Sequence, residues 1–373
     1  MDAIPFIDLK AQYAGTKDQV RAVVDAVFED QAFILGETVS RFEEDYAAWL
    51  GLPKGSAVGV SSGTDALLVT LMALGVGPGD KVLTTPFSFF ATAGVIARLH
   101  ATPVFVDIDP ITFNLDPAAL KGLDPEDFKA LIVVHLYGRC ADMRSIRDWA
   151  DASGLPLVED AAQAVGAKDE GGAPVGGLGR AACFSFFPTK NLGAAGDGGC
   201  VTSLDPEFTS KIRALRTHGA VRPYDSDIIG GNFRLDALQA AVLGAKLPFL
   251  DDWNRRRLEN AAAYNQYFRD RGLEGRMGLP ELPLDDSYVA HQYVLRLPNR
   301  DEVAAKLAEQ GIGCAIYYPK PLHLMDCFSR LGYAEGSLPE AERASREVLA
   351  LPIFPELGQK RHRRVAEAVA ALV

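Results

Sequence analysis

Basic residues are in short supply. The sequence sets 38 Lys and Arg against 49 Asp and Glu, a net charge of −11 at pH 7. Without a cationic surplus to neutralise phosphates, nucleic acid is not expected as a principal partner. A phosphorylated small molecule needs only a local site and stays open. Cysteine is scarce too: Cys140, Cys183, Cys200, Cys314 and Cys327 are odd in number and form no CxxC pair. That pattern suits neither a disulfide framework nor a zinc site, and reads as reduced thiols in a cytoplasmic protein. The longest uncharged stretch, residues 82–97, contains Pro86 and several hydroxyls and is too short to span a bilayer, so no membrane partner is expected. The opening MDAIPFIDLK has acids at Asp2 and Asp8 and lacks the basic-then-apolar pattern of a secretory signal. No GxGxxG follows the first strand-like run, which disfavours a dinucleotide fold, and the histidines show no HExxH or HxxxH spacing, so no metal is expected.

What is present describes a large folded protein. Hydrophobic residues make up 48% and charged residues 23% of 373, which at ~150 residues per domain means two or three domains. From about 57 to 203, short β-rich runs alternate with helical patterns: AVGV (57–60), KVLTTP (81–86), ATPVFVDID (101–109), KALIVVHLYG (129–138) and LPLVED (155–160). Apolar runs separated by helices predict a mostly parallel sheet covered on both faces. Helices dominate 236–270; beyond them come a strand HQYVLRL (291–297), a helix DEVAAKLAEQ, a second strand IGCAIYY (312–318) and closing helices. The expected fold class is α/β, with a large domain over 1–250 and a smaller α+β domain over 251–373.

In such sheets ligands gather at the carboxyl ends of strands, and polar residues follow the runs directly. SSGTDA (61–66) places Thr64 and Asp65 at a helix start, where unpaired N–H groups and the dipole favour an anion; a plain N-cap fits equally well. VEDAAQA (158–164) ends an apolar strand on Asp160, a carboxylate that requires a cation, donors or a capping role, with Gln163 one turn on. CFSFFPTKNLGAAGDGG (183–199) is the most informative segment, with Ser185 among aromatics and Lys190 before a glycine-rich run. A lysine in apolar surroundings loses basicity and suits imine chemistry, although most lysines are surface charges. GGNFRLDALQAAVL (230–243) carries Asn232 and Arg234 ahead of a helix, and Phe89 in TTPFSFFATAG (84–94) offers either a flat face or core packing.

Together these segments resemble the DegT/StrS-type sugar aminotransferases, which use pyridoxal phosphate on the fold type I scaffold of aspartate aminotransferase. The resemblance runs from PFIDLKAQY (5–13) through SSGTDAL, VEDAAQA, SFFPTKNLGAAGDGG and GGNFRLDALQAA to YYPKPLHL (317–324), nearly the whole chain. It implies a seven-stranded large domain and a residue-by-residue site. Lys190 would join the cofactor carbonyl and later move the proton, and Asp160 would face the pyridinium nitrogen. Gln163 would contact the ring hydroxyl, Phe89 would stack on the ring, and Thr64, Asp65 and Ser185 would hold the phosphate. Asn232 would reach the phosphate of a neighbouring subunit, implying a homodimer with shared sites.

The implied reaction moves an amino group from L-glutamate (or L-glutamine), by way of pyridoxamine phosphate, to a keto sugar on a nucleotide. Carbon 3 is favoured and carbon 4 is the alternative. Arg234, Tyr317, Tyr318 and His323 would lie near the sugar. A pyridoxal-phosphate-binding regulator is a lesser alternative, and so is a sugar dehydratase, which carries His in place of the lysine.

Overall fold

The computed structural model describes residues 2–222, 225–283 and 285–373. Helices α1 (Leu9–Asp30) and α2 (Gly36–Trp49) lead into the alternating region, and the Asp8 carboxylate caps α1 by accepting from the Ala11 amide at 3.0 Å. There β1 (Ala57–Val60), α3 (Gly63–Ala73), β2 (Lys81–Thr84), α4 (Ala91–Arg98), β3 (Thr102–Phe105), β4 (Ala130–Val134), α5 (Met143–Asp151), β5 (Leu157–Asp160), β6 (Ala181–Ser185) and β7 (Gly199–Thr202) follow. The seven strands form one sheet in the order β1-β7-β6-β5-β4-β2-β3, with β7 antiparallel to both neighbours and the other adjacent pairs parallel.

Alternate residues of each strand enter separate cores. Leu131 and Val133 of β4 join Leu83, Leu157 and Phe184 on one face, while Ala130 and Ile132 join Val82, Val158 and Val201 on the other. Both faces being covered explains why the strands read as unbroken apolar runs. Helix α6 (Pro206–Arg216) follows the sheet, and its Arg216 forms a buried pair with Glu43 of α2 at 2.6 Å; Glu43 also accepts from the Gly59 amide in β1.

A short pair β8 (Ala220–Arg222) and β9 (Asp225–Ser226), then α7 (Ala237–Lys246) and α8 (Leu250–Arg269), lead to the second core. That core packs α8, β10 (Tyr293–Arg296), α9 (Arg300–Glu309), β11 (Val348–Leu351) and α11 (Gly358–Ala370), while Ala341 and Ala344 of α10 (Pro339–Glu347) pack with Phe87, Phe105 and Val134 of the large domain.

Three details differ from expectation. Residues 312–318 form no strand: Gly313 lies against the N-terminal segment, donating to the Ile4 carbonyl at 2.8 Å, and the run makes only isolated bridges. Within the expected closing helices, Val348–Leu351 is a strand paired antiparallel to β10, as its β-branched and apolar residues allow. Ile4 is buried in the second core, so the start of the chain packs with the smaller domain rather than with residues up to 250.

Candidate active site

The polar ends of β4, β5 and β6 converge with the N-termini of α3 and α4. On β5, Glu159 and Asp160 point to opposite faces, as the period of two requires. Glu159 is buried and accepts from the amides of Gly176, Leu178 and Gly179 at 2.9–3.0 Å, and lies 3.2 Å from His135 Nε2. His135 Nδ1 accepts from the Ala141 amide, so Nε2 is the nitrogen that donates to Glu159. This network fixes the strand ends beneath the cleft.

Asp160 faces the other way and is buried. Its Oδ2 accepts from Thr92 Oγ1 at 2.8 Å and its Oδ1 from the Ala162 amide at 3.3 Å. Ser88 Oγ lies 2.8 Å from Thr92 Oγ1. Since Thr92 donates its only proton to the carboxylate, Ser88 donates to Thr92, and two hydroxyls line up behind Asp160. Burial pushes the Asp160 pKa up, while Thr92, Ala162 and the charge of Lys190 pull it down.

Lys190 follows β6 in a loop held from several sides. Its own amide donates to the Phe187 carbonyl. Gly193 is closely packed against Pro188, where a Cβ would come 2.4 Å from the carbonyl oxygen. Lys246 Nζ donates to the Gly193 carbonyl at 2.5 Å, and the Ala195 amide donates to Gln239 Oε1. Burial lowers the Lys190 pKa to about 8, against the upward pull of Asp160. The two groups therefore face each other electrostatically, each shifted towards its neutral form by desolvation and towards its charged form by the other.

A flat slot opens beside them. Phe89 exposes 58% of its surface, with its ring centroid 6.5 Å from that of Tyr318. Gln163 Oε1 accepts from the Tyr137 amide at 2.7 Å and its Nε2 donates to Tyr318 Oη at 3.1 Å. Tyr137 Oη donates to the Tyr317 carbonyl, so the 317–318 segment is tied to the large domain at two points. At the other end, α3 begins against Ser185: a Cβ on Gly63 would fall 2.6 Å from Ser185 Cβ. Only glycine admits that approach, which brings the free first-turn N–H groups of α3 beside the serine hydroxyl.

The chemistry of these donors fits pyridoxal phosphate. A buried carboxylate suits a protonated ring nitrogen, a weakly basic lysine suits a carbonyl, the open Phe89 ring suits stacking, and a helix start beside Ser185 suits a phosphate. Within this set Asp65 differs from expectation. Its amide donates to Ser62 Oγ, which caps α3, and its carboxylate accepts from Ser61 Oγ, so Gly63 and Thr64 are the residues left to offer amides.

Asn232 and Arg234 lie elsewhere in one chain. With Ser61, Ser62, Asp65 and Asp236 they line a neighbouring cavity of about 470 Å³. His323 is corrected outright. It is 1% exposed, packed against Phe105 and Tyr333 with Nε2 3.2 Å from Glu342, which closes it off from a substrate. Sequence reasoning missed Thr92, Ser88, His135, Glu159, Asn191 and His291. The first two sit one helical turn apart beside Phe89, the signal that was there to find.

Comparison with known proteins gives a consistent set of likenesses. The profile of the DegT/DnrJ/EryC1/StrS aminotransferase family matches residues 15–370. A Geobacillus stearothermophilus protein described as a pleiotropic regulatory protein is 49% identical, covering 98% of both chains. The UDP-N-acetyl-3-dehydro-alpha-D-glucosamine 3-aminotransferase of Acidithiobacillus ferrooxidans is 41% identical, covering 98% of this chain and 97% of its own. Among solved structures, S. venezuelae DesV in complex with a ketimine intermediate superposes with a TM-score of 0.94 at 40% identity, covering 100% of this chain and 99% of that one.

Proposed function

The chain belongs to the DegT/DnrJ/EryC1/StrS aminotransferase family, and from that premise we propose that it is a pyridoxal-phosphate-dependent transaminase aminating carbon 3 of a nucleotide-linked keto sugar, with L-glutamate as donor. The observation that carries the reading is the pairing of Lys190 and Asp160 in one cleft, each with its pKa displaced by burial. The carbon 3 position is supported by the 3-aminotransferase relative.

When bound, the cofactor supplies a carbonyl carbon that takes up the amino group and a ring that draws electrons from the reacting bond. The protein's own part is positional and acid–base. Asp160, fixed by Thr92 and the Ala162 amide, holds a proton on the facing ring nitrogen. Phe89, with its ring open to the cleft, would stack against the cofactor ring, and Gln163, whose Nε2 donates to Tyr318, would contact the ring hydroxyl. Ser185 and the first-turn amides of Gly63 and Thr64, brought together by the close Gly63–Ser185 approach, would hold the phosphate. Lys190 acts as base through neutral Nζ and as acid once protonated. With burial lowering its pKa to about 8, its neutral fraction near pH 7 is larger than that of an ordinary lysine by a factor on the order of 100.

Two copies would complete the site. Ile229 is 92% exposed and Ile34, Phe187 and Ile228 are open as well, an apolar set that a second copy would cover. In that assembly Asn232 would reach the neighbour's phosphate and Arg234 a phosphate or carboxylate of the nucleotide sugar, with Tyr317 and Tyr318 against the sugar. Among the described residues all five cysteines are free and no helix is long and apolar enough to cross a membrane. This supports a cytoplasmic site of action.

A regulatory role is the second reading, favoured by the name of the 49% identical relative. The test follows the visible spectrum of cofactor-loaded protein on adding L-glutamate, then 3-keto and 4-keto nucleotide sugars in turn. Bleaching by glutamate and recovery with a 3-keto sugar is the expected result. Recovery only with a 4-keto sugar overturns the carbon position, and failure of every amino donor to bleach the band favours the regulator.

A further inference from the structure

Lys190 is followed by Asn191, a residue only 3% exposed whose side chain is fully committed. Its Nδ2 donates to Asn254 Oδ1 at 2.8 Å and to the Val289 carbonyl at 3.2 Å. The amide oxygen therefore faces His291, and His291 Nδ1, 2.9 Å away, is the donor. In the neutral ring that assignment leaves Nε2 without a hydrogen. Asn254, on α8, is itself anchored through Nδ2 to the Val165 carbonyl at 3.0 Å.

The segment carrying His291 runs along the cleft wall. The Cys140 amide donates to the Ser287 carbonyl, Val289 to Gly138 and Gln292 to Tyr137. Gly138 has φ +93°, and a Cβ there would meet the His291 amide nitrogen at 2.9 Å and the Gln163 carbonyl at 3.0 Å. Glycine is what lets the segment lie so close. Arg257 of α8 adds a bond from its guanidinium to the His291 carbonyl at 3.2 Å.

We propose that the buried Asn191–His291 hydrogen bond, anchored by Asn254, positions Lys190 for proton transfer, so that the smaller domain holds the loop bearing the reactive amine. This rests on the transaminase reading above. The charged groups bearing on the pair are Asp160 for Lys190, and Lys190 and Arg257 for His291. Burial, with those two positive charges, pushes the His291 pKa well below its ordinary value. An uncharged ring in this place can hold Asn191 without adding a second cation near Lys190.

The test uses the full chain freed of cofactor. Trace acetylation across pH 6–10, read by mass spectrometry of the Lys190 peptide, reports the midpoint of amine reactivity. Wild type is expected near 8. His291→Leu removes the Nδ1 donor that holds Asn191; release of the loop is expected to admit water to Lys190 and so move the midpoint up towards the 10.5 of a free lysine, with kcat of the loaded enzyme reduced and KM unchanged. His291→Asn supplies an amide N–H in the same place and should restore the wild-type midpoint. The proposal is overturned if the leucine variant keeps that midpoint, whatever its melting temperature, or if the asparagine variant is displaced as far as the leucine one. Failure of wild type to bind pyridoxal phosphate would instead sink the parent reading, and the apoprotein comparison would still stand.

Discussion

Replacing Thr92 by valine deletes one hydroxyl while keeping a β-branched side chain in α4, and it isolates the hydrogen bond to Asp160 Oδ2 at 2.8 Å. A hydrogen bond to a charged acceptor is worth ~1.5–3 kcal/mol, which at ~1.36 kcal/mol per unit raises the Asp160 pKa by ~1–2 units. The carboxylate already lies above its ordinary value because it is buried, so a charged Asp160 works against folding of the apoprotein. Its favourable contribution is complete below the unfolded pKa and is lost as pH rises through the folded one. Thr92→Val should therefore destabilise the apoprotein at pH 7, with a deficit that shrinks on acidification. Cofactor binding needs the charged form and follows the opposite course. The pH below which pyridoxal phosphate affinity falls should move up by ~1–2 units, measured by equilibrium titration from pH 5 to 9. Superimposable binding curves for variant and wild type would refute the two-hydroxyl line behind Asp160.

Other outcomes follow from the same geometry. Gly63→Ala puts a Cβ 2.6 Å from Ser185 Cβ; an overpacking penalty of ~1–3 kcal/mol should fall on phosphate affinity, weakening pyridoxal phosphate but not unphosphorylated pyridoxal in competition binding. Glu159→Gln turns one carboxylate oxygen into an NH2 that cannot accept from the backbone amides facing it, and should cost at least ~1.5–3 kcal/mol in urea unfolding. For the half-reaction with the keto sugar, in which Lys190 is free, kcat/KM should climb as pH rises to about 8 and then level, because the neutral amine is the base. A flat profile would remove Lys190 from that role. In mixed dimers, inactive Lys190→Ala and Asn232→Ala chains should recover part of the activity by placing one intact site in each hybrid. No recovery would count against Asn232 crossing between subunits.

The sheet was legible because its strands are buried on both faces: AVGV and ALIVV are apolar throughout, KVLT is apolar at its centre, and the helices between them leave few alternatives. Asp160, at the end of β5, and Lys190, five residues past β6, each admitted a plainer reading alone, and were singled out because the neighbouring segments occur together in one family pattern. The helpers of that pair were not. Thr92 and Ser88 look like ordinary hydroxyls, and Asn191 and His291 are 100 positions apart, joined only when α8 and the cleft wall close on them. His323 misled because the resemblance set it near the sugar, while the partner that satisfies it, Glu342, comes from α10, 19 positions on. The run 312–318 has the composition of a strand, yet Gly313 and the bridge at Ile312 give it a different partner, the first residues of the chain.

That last contact bears on the order of assembly. Ile4 donates to the Gly311 carbonyl and accepts from the Gly313 amide, so residues made first are sewn to residues made more than 300 positions later. As the ribosome extends the chain, every strand of the seven-stranded sheet has been synthesised before Ile4 has anything to bind. The smaller domain is thus closed late, across a loop of roughly 300 residues, and such closures are slow to find. Until it closes, Tyr288 and Ala290, which flank His291 and belong to that core, lack part of their packing. The amine of Lys190 would then acquire its final setting as one of the closing events of folding.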